Sequence, residues 1–506
     1  MSVSQGVVNK GLSAVAWGSI GTFARILMQL GSQIILARML GPDLFGLFAT
    51  ALIALTLVNF LADFGIAYSL IQKANVSHED IRFVATWQFI LGSLACMGLL
   101  LSASFFANFF QNESLTPVIQ CLAVVSLINA LSAVSSNLLK RDIDFKKIQL
   151  ASTLSYAIGY LVIGILLASH DAGIWALIAA FTSTALINLA LLYGATRHPI
   201  RPLLWTTDAG KMLEYGTTVL LTNITNWFVS SIDRVIIGRF FPTASVGYYT
   251  TAFNFVYNPC TTLIGVLQPA LFSTGARIQG QRKELRIALV GAWAATGLFI
   301  APIFIGIAVV SPTLVNALYG SAWDSLAPLM RPLALAMPLV VLIGMSTPML
   351  WIGGKIRHEF ILQIPVALLV VLGCLWASKF STQHVAWTVF VIFFIRALTI
   401  MGFAARSLGL TMSDLAGSLA GGGVVCMGTA LSLFIFDAIC RHFSLAAPLS
   451  LMFDIVGTAF SLYLLILILP RLIHGSLGPL LARMLPRAGL PGRLLARRML
   501  ETGVQP

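Results

Sequence analysis

QIILARMLGPDLFGLFATALIALTLVNFLADFGIAYSLIQ (33–72) is the stretch from which the fold can be read. An apolar run ends at Arg38, Gly41-Pro42-Asp43 turns the chain, and a second apolar run of about twenty residues starts at once. Each run matches the hydrocarbon thickness of a bilayer, so the pair reads as two membrane-spanning helices joined by a tight turn. Strands would show alternation in runs of about ten, which these residues lack.

Working outward, the same texture fills the chain. Of 506 residues, 58% are hydrophobic and 10% charged, which excludes a soluble globule. The expectation is an all-α polytopic membrane protein of about fourteen helices. The spans fall at 12–37, 44–71, 82–110, 115–138, 147–168, 172–195, 212–238, 244–272, 286–310, 325–352, 359–377, 384–405, 413–436 and 448–469. Lys10 followed by an apolar run too long for a signal-peptide core predicts that the first helix is retained.

Basic residues sort between alternate connections. One set holds Lys10, Lys73, Arg82, Lys140, Arg141, Lys146, Lys147, Arg197, Arg201, Lys211, Arg277, Arg282, Lys283, Arg286, Lys355, Arg357 and Arg406, with the Arg-rich tail after 470. The other holds Arg38, Arg239, Lys379 and Arg441. By the positive-inside rule both termini face the cytoplasm. The net charge of +13 is spread over many short loops, so it implies contact with anionic lipid and no nucleic-acid partner. The tail 471–506, with Arg and Leu interleaved, reads as an interfacial segment. The six cysteines are scattered without metal-ligand spacing, and no cofactor or metal is expected.

A shift of 201 positions lays QIILARMLGPDLFGLFATA (33–51) over RVIIGRFFPTASVGYYTTA (234–252), pairing Arg38 with Arg239, Gly46 with Gly247 and Thr50-Ala51 with Thr251-Ala252. A period of six helices gives two lobes of like orientation, a parallel repeat with a substrate site expected near the midplane between them. The expected domains are an N-lobe (1–205), a C-lobe (206–410), two further helices (411–470) and the basic tail (471–506).

Four segments in register, IILARMLGPDLFGLFATA (34–51), ADFGIAYSLIQ (62–72), NLLKRDIDFKKI (137–148) and GIWALI (173–178), make residues 10–470 similar to the polysaccharide-transport branch of the multidrug/oligosaccharidyl-lipid/polysaccharide exporter superfamily, the Wzx-type flippases. The resemblance implies twelve core helices plus two, alternating access, and an undecaprenyl-diphosphate-linked oligosaccharide as cargo for O-antigen, capsule or exopolysaccharide assembly. Polysaccharide polymerase and export machinery are further partners to expect.

Such cargo needs a hydrated cationic cavity, and a charge inside a span costs about 2.5–3.5 kcal/mol on insertion scales, so Arg25, Arg396, Arg331 and Arg234 are the candidates for diphosphate contact. Arg25 lies about 20 Å from either end of helix one and resembles the basic residue that lipid II flippases carry in their first helix. Its repeat partner Asn226 is not basic. Arg396 is equally central in its helix, with pairing to a buried acid as the alternative. Arg331 and Arg234 lie near helix ends and are expected to reach the headgroups. Asp233, next to Arg234, should point about 100° away from it and find another partner. Asp63 and Asp233 are candidate coupling acids, and Asp63 could instead pair with a basic residue or cap a break at Gly65. Gln29, Asn59, Asn129, Asn223, Asn226, Trp227, Asn254, Tyr257 and Asn258 are candidate sugar contacts, each with helix–helix hydrogen bonding as the alternative.

A cation-coupled multidrug exporter would share the fold but calls for cavity acids, and the membrane charges here lean basic. A membrane polymerase or glycosyltransferase would need catalytic carboxylates or histidines on a large external loop, and the longest such connection, about 311–324, holds Asp324 alone. A Walker A sequence is absent, so ATP is not an expected partner, and the chain is expected not to be an enzyme.

Overall fold

A computed structural model describes the backbone of residues 2–73 and 75–468 and the side chains from Arg25 to Leu465, apart from scattered positions that include Asp63 and Asn226. The tail 471–506 and the side chain of Lys10 lie outside the described residues. The regular elements of the described residues are all helices: α1 (Ser2–Asp63), α2 (Ile66–Gln72), α3 (His78–Phe109), α4 (Leu115–Arg141), α5 (Phe145–Ser169), α6 (Ile174–Thr196), α7 (Ala209–Phe240), α8 (Thr243–Arg277), α9 (Arg282–Val309), α10 (Ser311–Tyr319), α11 (Ala327–Ile352), α12 (Ile356–Ala377), α13 (Thr382–Leu408), α14 (Met412–His442) and α15 (Ala447–Ile468). In lipid every backbone amide must bond within its own segment, which helices alone achieve for spans of this composition.

Among the described residues, eleven helical stretches are long and apolar enough to cross a membrane. About fourteen were expected. The difference lies in α1, whose two arms either side of the Gly41 kink form a single stretch in that count, and in α7 and α8. Both of the latter are long, but Asn223, Asp233, Arg234 and Arg239 dilute the first and Asn254, Tyr257 and Asn258 the second.

The bend in α1 is the turn seen in the sequence. Gly41 adopts φ 77° and ψ 174°, a conformation open to glycine, and Pro42 starts the second arm. A second break follows at Phe64 and Gly65, with φ 44° and 69°. The expected span 44–71 ran unbroken through this point, with a break at Gly65 raised only as one role for Asp63, whose side chain lies outside the described residues. The stretch 311–324, expected as a connection, instead folds into α10 and a short 3₁₀ turn (Ser321–Leu326) containing Asp324. Ser311-Pro312 starts α10 with proline in its first turn, and Thr313 is anchored to Asp437 at 2.8 Å.

Two compact units, Met1–Thr250 and Thr251–Pro506, make up the chain. Leu36, Leu55, Leu99, Leu122 and Leu177 form the core of the first, and Trp293, Leu342, Leu350 and Ile400 that of the second. Within the first unit the two copies of the repeat touch. A Cβ added to Gly46 would lie 1.9 Å from the Thr243 carbonyl oxygen, and one added to Gly247 would lie 2.1 Å from the Pro42 carbonyl oxygen. Only residues without side chains allow backbones this close.

The segment 197–208 is tied to the start of α3. Arg82 donates to the carbonyls of Arg201 and Pro202 at 3.1 Å, Trp87 donates to Leu204 O at 3.2 Å, and Leu203 N donates to Thr86 Oγ1 at 2.9 Å. Lys73 Nζ bridges Asp80 and Asp208 at 2.7 Å each. The Lys73 hydrogen bond holds the Asp208 carboxyl below its usual range. A carboxyl with a depressed folded pKa supports the folded state above the unfolded Asp value of about 3.9, and that support is lost as pH falls through the lower folded value. The protection of 197–208 against hydrogen–deuterium exchange, taken relative to the intrinsic rate at each pH, is therefore expected to fall on acidification below about pH 4 in the wild type. In Asp208→Asn protection should already be lower at neutral pH and should not change further through this carboxyl on acidification.

Candidate functional site

Arg25 and Gln29 are one helical turn apart and share a face of α1. Together with α4, α5 and α6 they line a cavity of about 500 Å³ inside the first unit. Arg25 donates to the Ser152 hydroxyl of α5. Ser32, one turn beyond Gln29, meets the Tyr156 hydroxyl at 2.7 Å, and Tyr156 stacks on Tyr160 with ring centroids 4.6 Å apart.

The opening in α5 has a backbone cause. Residues Ala157–Gly164 form a π-helix, which widens the turn. There α6 approaches so closely that a Cβ on Gly159 would lie 2.0 Å from Thr184 Oγ1. Asn129, Gln149 and Asn188 add amides to the wall, and Lys140 adds a second cation, 5.5 Å over the Tyr68 ring. Among the described residues no carboxylate lines the cavity. It offers two positive charges, amides, hydroxyls and stacked phenols, a set suited to an anionic polar headgroup.

Sequence reading singled out Arg25, Gln29 and Asn129 of this group. It assigned Lys140 to topology and missed Ser152, Tyr156, Tyr160 and Asn188. The available signal was a polar face on helix five, Gln149, Ser152, Ser155 and Tyr156 at three- and four-residue steps.

A second polar cluster lies inside the second unit. Arg396 of α13 donates to Gln363 Oε1 at 3.1 Å, and Gln363 Nε2 donates to Glu359 Oε1 at 3.4 Å. Thr347 and Trp351 donate to the same carboxylate at 3.0 and 2.7 Å. Glu359 is buried at 7% exposure, and Arg396 lies within electrostatic reach of Glu359 and Tyr257. Gln363 thus bridges Arg396 and the buried Glu359. Glu359 was not singled out from the sequence, because it follows Lys355 and Arg357 and reads as part of a basic loop.

The remaining candidates are dispersed. Asp233 is buried and accepts from the Tyr249 hydroxyl at 2.7 Å. Contrary to the expectation that neighbours point apart, Arg234 Nε comes within 3.7 Å of Asp233 Oδ1, because the guanidinium folds back along α7 to Ser230 O at 2.5 Å and Ser231 Oγ at 3.0 Å. Arg331 is exposed and donates to Ser311 at 3.2 Å. Trp227 is buried edge-on to Phe228, Tyr257 stacks on Phe253 at 4.7 Å, and Asn59 and Asn254 are half-buried. Asn226 lies outside the described side chains.

Long apolar helices around a charged, solvent-sized interior define a multi-pass helical membrane protein. Residues 35–328 match the polysaccharide biosynthesis protein family, and the chain belongs to that family. It is 24% identical over 468 residues to the lipopolysaccharide biosynthesis protein WzxC of Escherichia coli (strain K12), covering 91% of this chain and 85% of that one. The teichuronic acid biosynthesis protein TuaB of Bacillus subtilis (strain 168) is 24% identical over 477 residues, covering 91% and 96%. Among solved structures, the lipid II flippase MurJ in its inward closed conformation shares the fold, with a TM-score of 0.68 at 14% identity over 90% of this chain and 99% of that one.

Proposed function

We propose that the protein flips an undecaprenyl-diphosphate-linked oligosaccharide across the bacterial inner membrane by alternating access, for assembly of exopolysaccharide, capsule or O-antigen. The observation that carries this reading is the Arg25 cavity: two cations and no described carboxylate inside an apolar helix bundle. A diphosphate cannot enter hydrocarbon unaided, because an ion loses far more hydration there than an apolar wall returns. Arg25 and Lys140 replace that hydration with charge-assisted hydrogen bonds, while the amides and phenols meet sugar hydroxyls and the prenyl tail stays in lipid. The family membership and the names of WzxC, TuaB and MurJ point the same way.

In this reading 1–205 and 206–410 are the two lobes, the final helix pair is an addition to the second, and both termini are cytoplasmic. Arg396 supplies charge in the second lobe, and Asp233 and Asp63 are the acids assigned to a coupling cation. Polymerase and export proteins take up the flipped lipid.

The test is the leaflet distribution of radiolabelled lipid-linked oligosaccharide after depletion of the protein. Label should accumulate on the cytoplasmic leaflet and be relieved by the wild type. Arg25→Ala should flip about 10–100-fold more slowly, the equivalent of losing one charged hydrogen bond of about 1.5–3 kcal/mol. An unchanged distribution on depletion, or full rescue by Arg25→Ala, would count against the reading.

A further inference from the structure

A second cavity, of about 280 Å³, lies in the first unit where the α3–α4 turn meets the end of α7 and the start of α8. Its charge is Arg239, in the last turn of α7, where a helix C-terminus favours a cation. The guanidinium stands 5.7 Å over the Phe109 ring, and its Nη1 is buried without a hydrogen-bond partner. No carboxylate of the described residues is within ion-pair distance of it or lines the cavity. Gln111, at φ 56°, and Asn112 form the opposite wall, and Asn112 Nδ2 bonds Thr243 Oγ1 at 3.0 Å to close one side. Phe110 and Phe241 supply apolar surface. Arg38, its counterpart in the first repeat, is exposed and does not line this cavity.

A buried guanidinium nitrogen with no partner is costly unless something occupies it. A carboxylate matches the guanidinium fork, and amide and hydroxyl groups beside aromatic rings match the hydroxyls and C–H face of a sugar. The volume lies just below the usual range of drug-sized ligand sites, about 300–1,000 Å³, which suits a single ring. We propose that this pocket is a saccharide subsite on the periplasmic side that takes one acidic sugar ring of the cargo, its carboxylate against Arg239. The assignment to cargo and to the periplasmic side rests on the flippase reading; the ligand chemistry does not.

Full-length protein in nanodiscs, titrated with glucuronate, glucose and glycerol 1-phosphate and read by saturation-transfer NMR, tests it. Glucuronate should bind at least about tenfold tighter than glucose. Arg239→Gln should weaken it at least about tenfold and Arg239→Lys less, with a change at an exposed cation outside both cavities, Lys379→Gln, leaving it unchanged. Should Arg239→Gln unfold, Phe241→Ala provides the measurement, with the same direction expected. Equal binding of glucose, or binding indifferent to Arg239 and Phe241, overturns the subsite. Tighter binding of glycerol 1-phosphate overturns it in favour of a lipid headgroup. Arg239-dependent glucuronate binding alongside an unchanged leaflet distribution on depletion removes the flippase reading while keeping the acidic-sugar site. Arg25-dependent flipping without glucuronate binding does the reverse.

Discussion

Glu359→Ala is expected to lower stability by about 3–5 kcal/mol, the cost of leaving a buried charge without its partner. The carboxylate accepts from Trp351, Thr347 and Gln363, and it is the acid through which Arg396 is compensated. Removing it leaves those donors and the guanidinium unanswered in a low-dielectric interior. Glu359→Gln, which keeps an acceptor oxygen but not the charge, should lie between the two. Adding Arg396→Leu to Glu359→Ala should recover part of the loss, since the double variant no longer buries an uncompensated cation. Thermal unfolding of the purified protein in detergent reads the two Glu359 variants, Arg396→Leu alone and the double. A double variant as unstable as the sum of its parts would show that the two residues do not act through one network.

Gly46→Ala and Gly247→Ala form the second pair of large effects. Alanine normally stabilises a helix relative to glycine, by about 1 kcal/mol. Here each added methyl would overlap a carbonyl oxygen of the partner helix, at 1.9 and 2.1 Å, and backbone cannot rotate away. Each variant should lose about 1–3 kcal/mol or more through overpacking. Gly98→Ala, where nothing lies within 4 Å, should be neutral or stabilising. Combining the Gly46 and Gly247 variants should cost less than the sum, because one separation of the helices relieves both clashes. Unfolding midpoints for the three singles and the double decide this, and an unperturbed Gly46→Ala would refute the tight crossing.

The helical membrane fold could be read from apolar run length, and the α1 turn from Gly41-Pro42, because lipid tolerates so few alternatives. Helix number was less legible. Functional helices such as α7 and α8 carry the polar groups that lower their apolarity, and α10 is too short to register by length. Arg25 stood out because a lone charge amid apolar residues is costly wherever it sits. Its surroundings did not, since the π-helical segment of α5 shifts which residues share a face, and a period of 3.6 does not reveal it. Tyr249, sixteen residues beyond Asp233 and across a turn, was beyond the reach of any helical periodicity.

The Gly46–Gly247 crossing also has a bearing on how the two positions can vary. Pro42 and Thr243, whose carbonyls receive the two glycines, are themselves related by the 201-residue shift, so residue i of one segment meets j of the other just as j meets i. Such reciprocity is the geometry of an isologous contact, here formed within one polypeptide. Substitutions at one glycine are constrained by the other copy as if a second subunit were present.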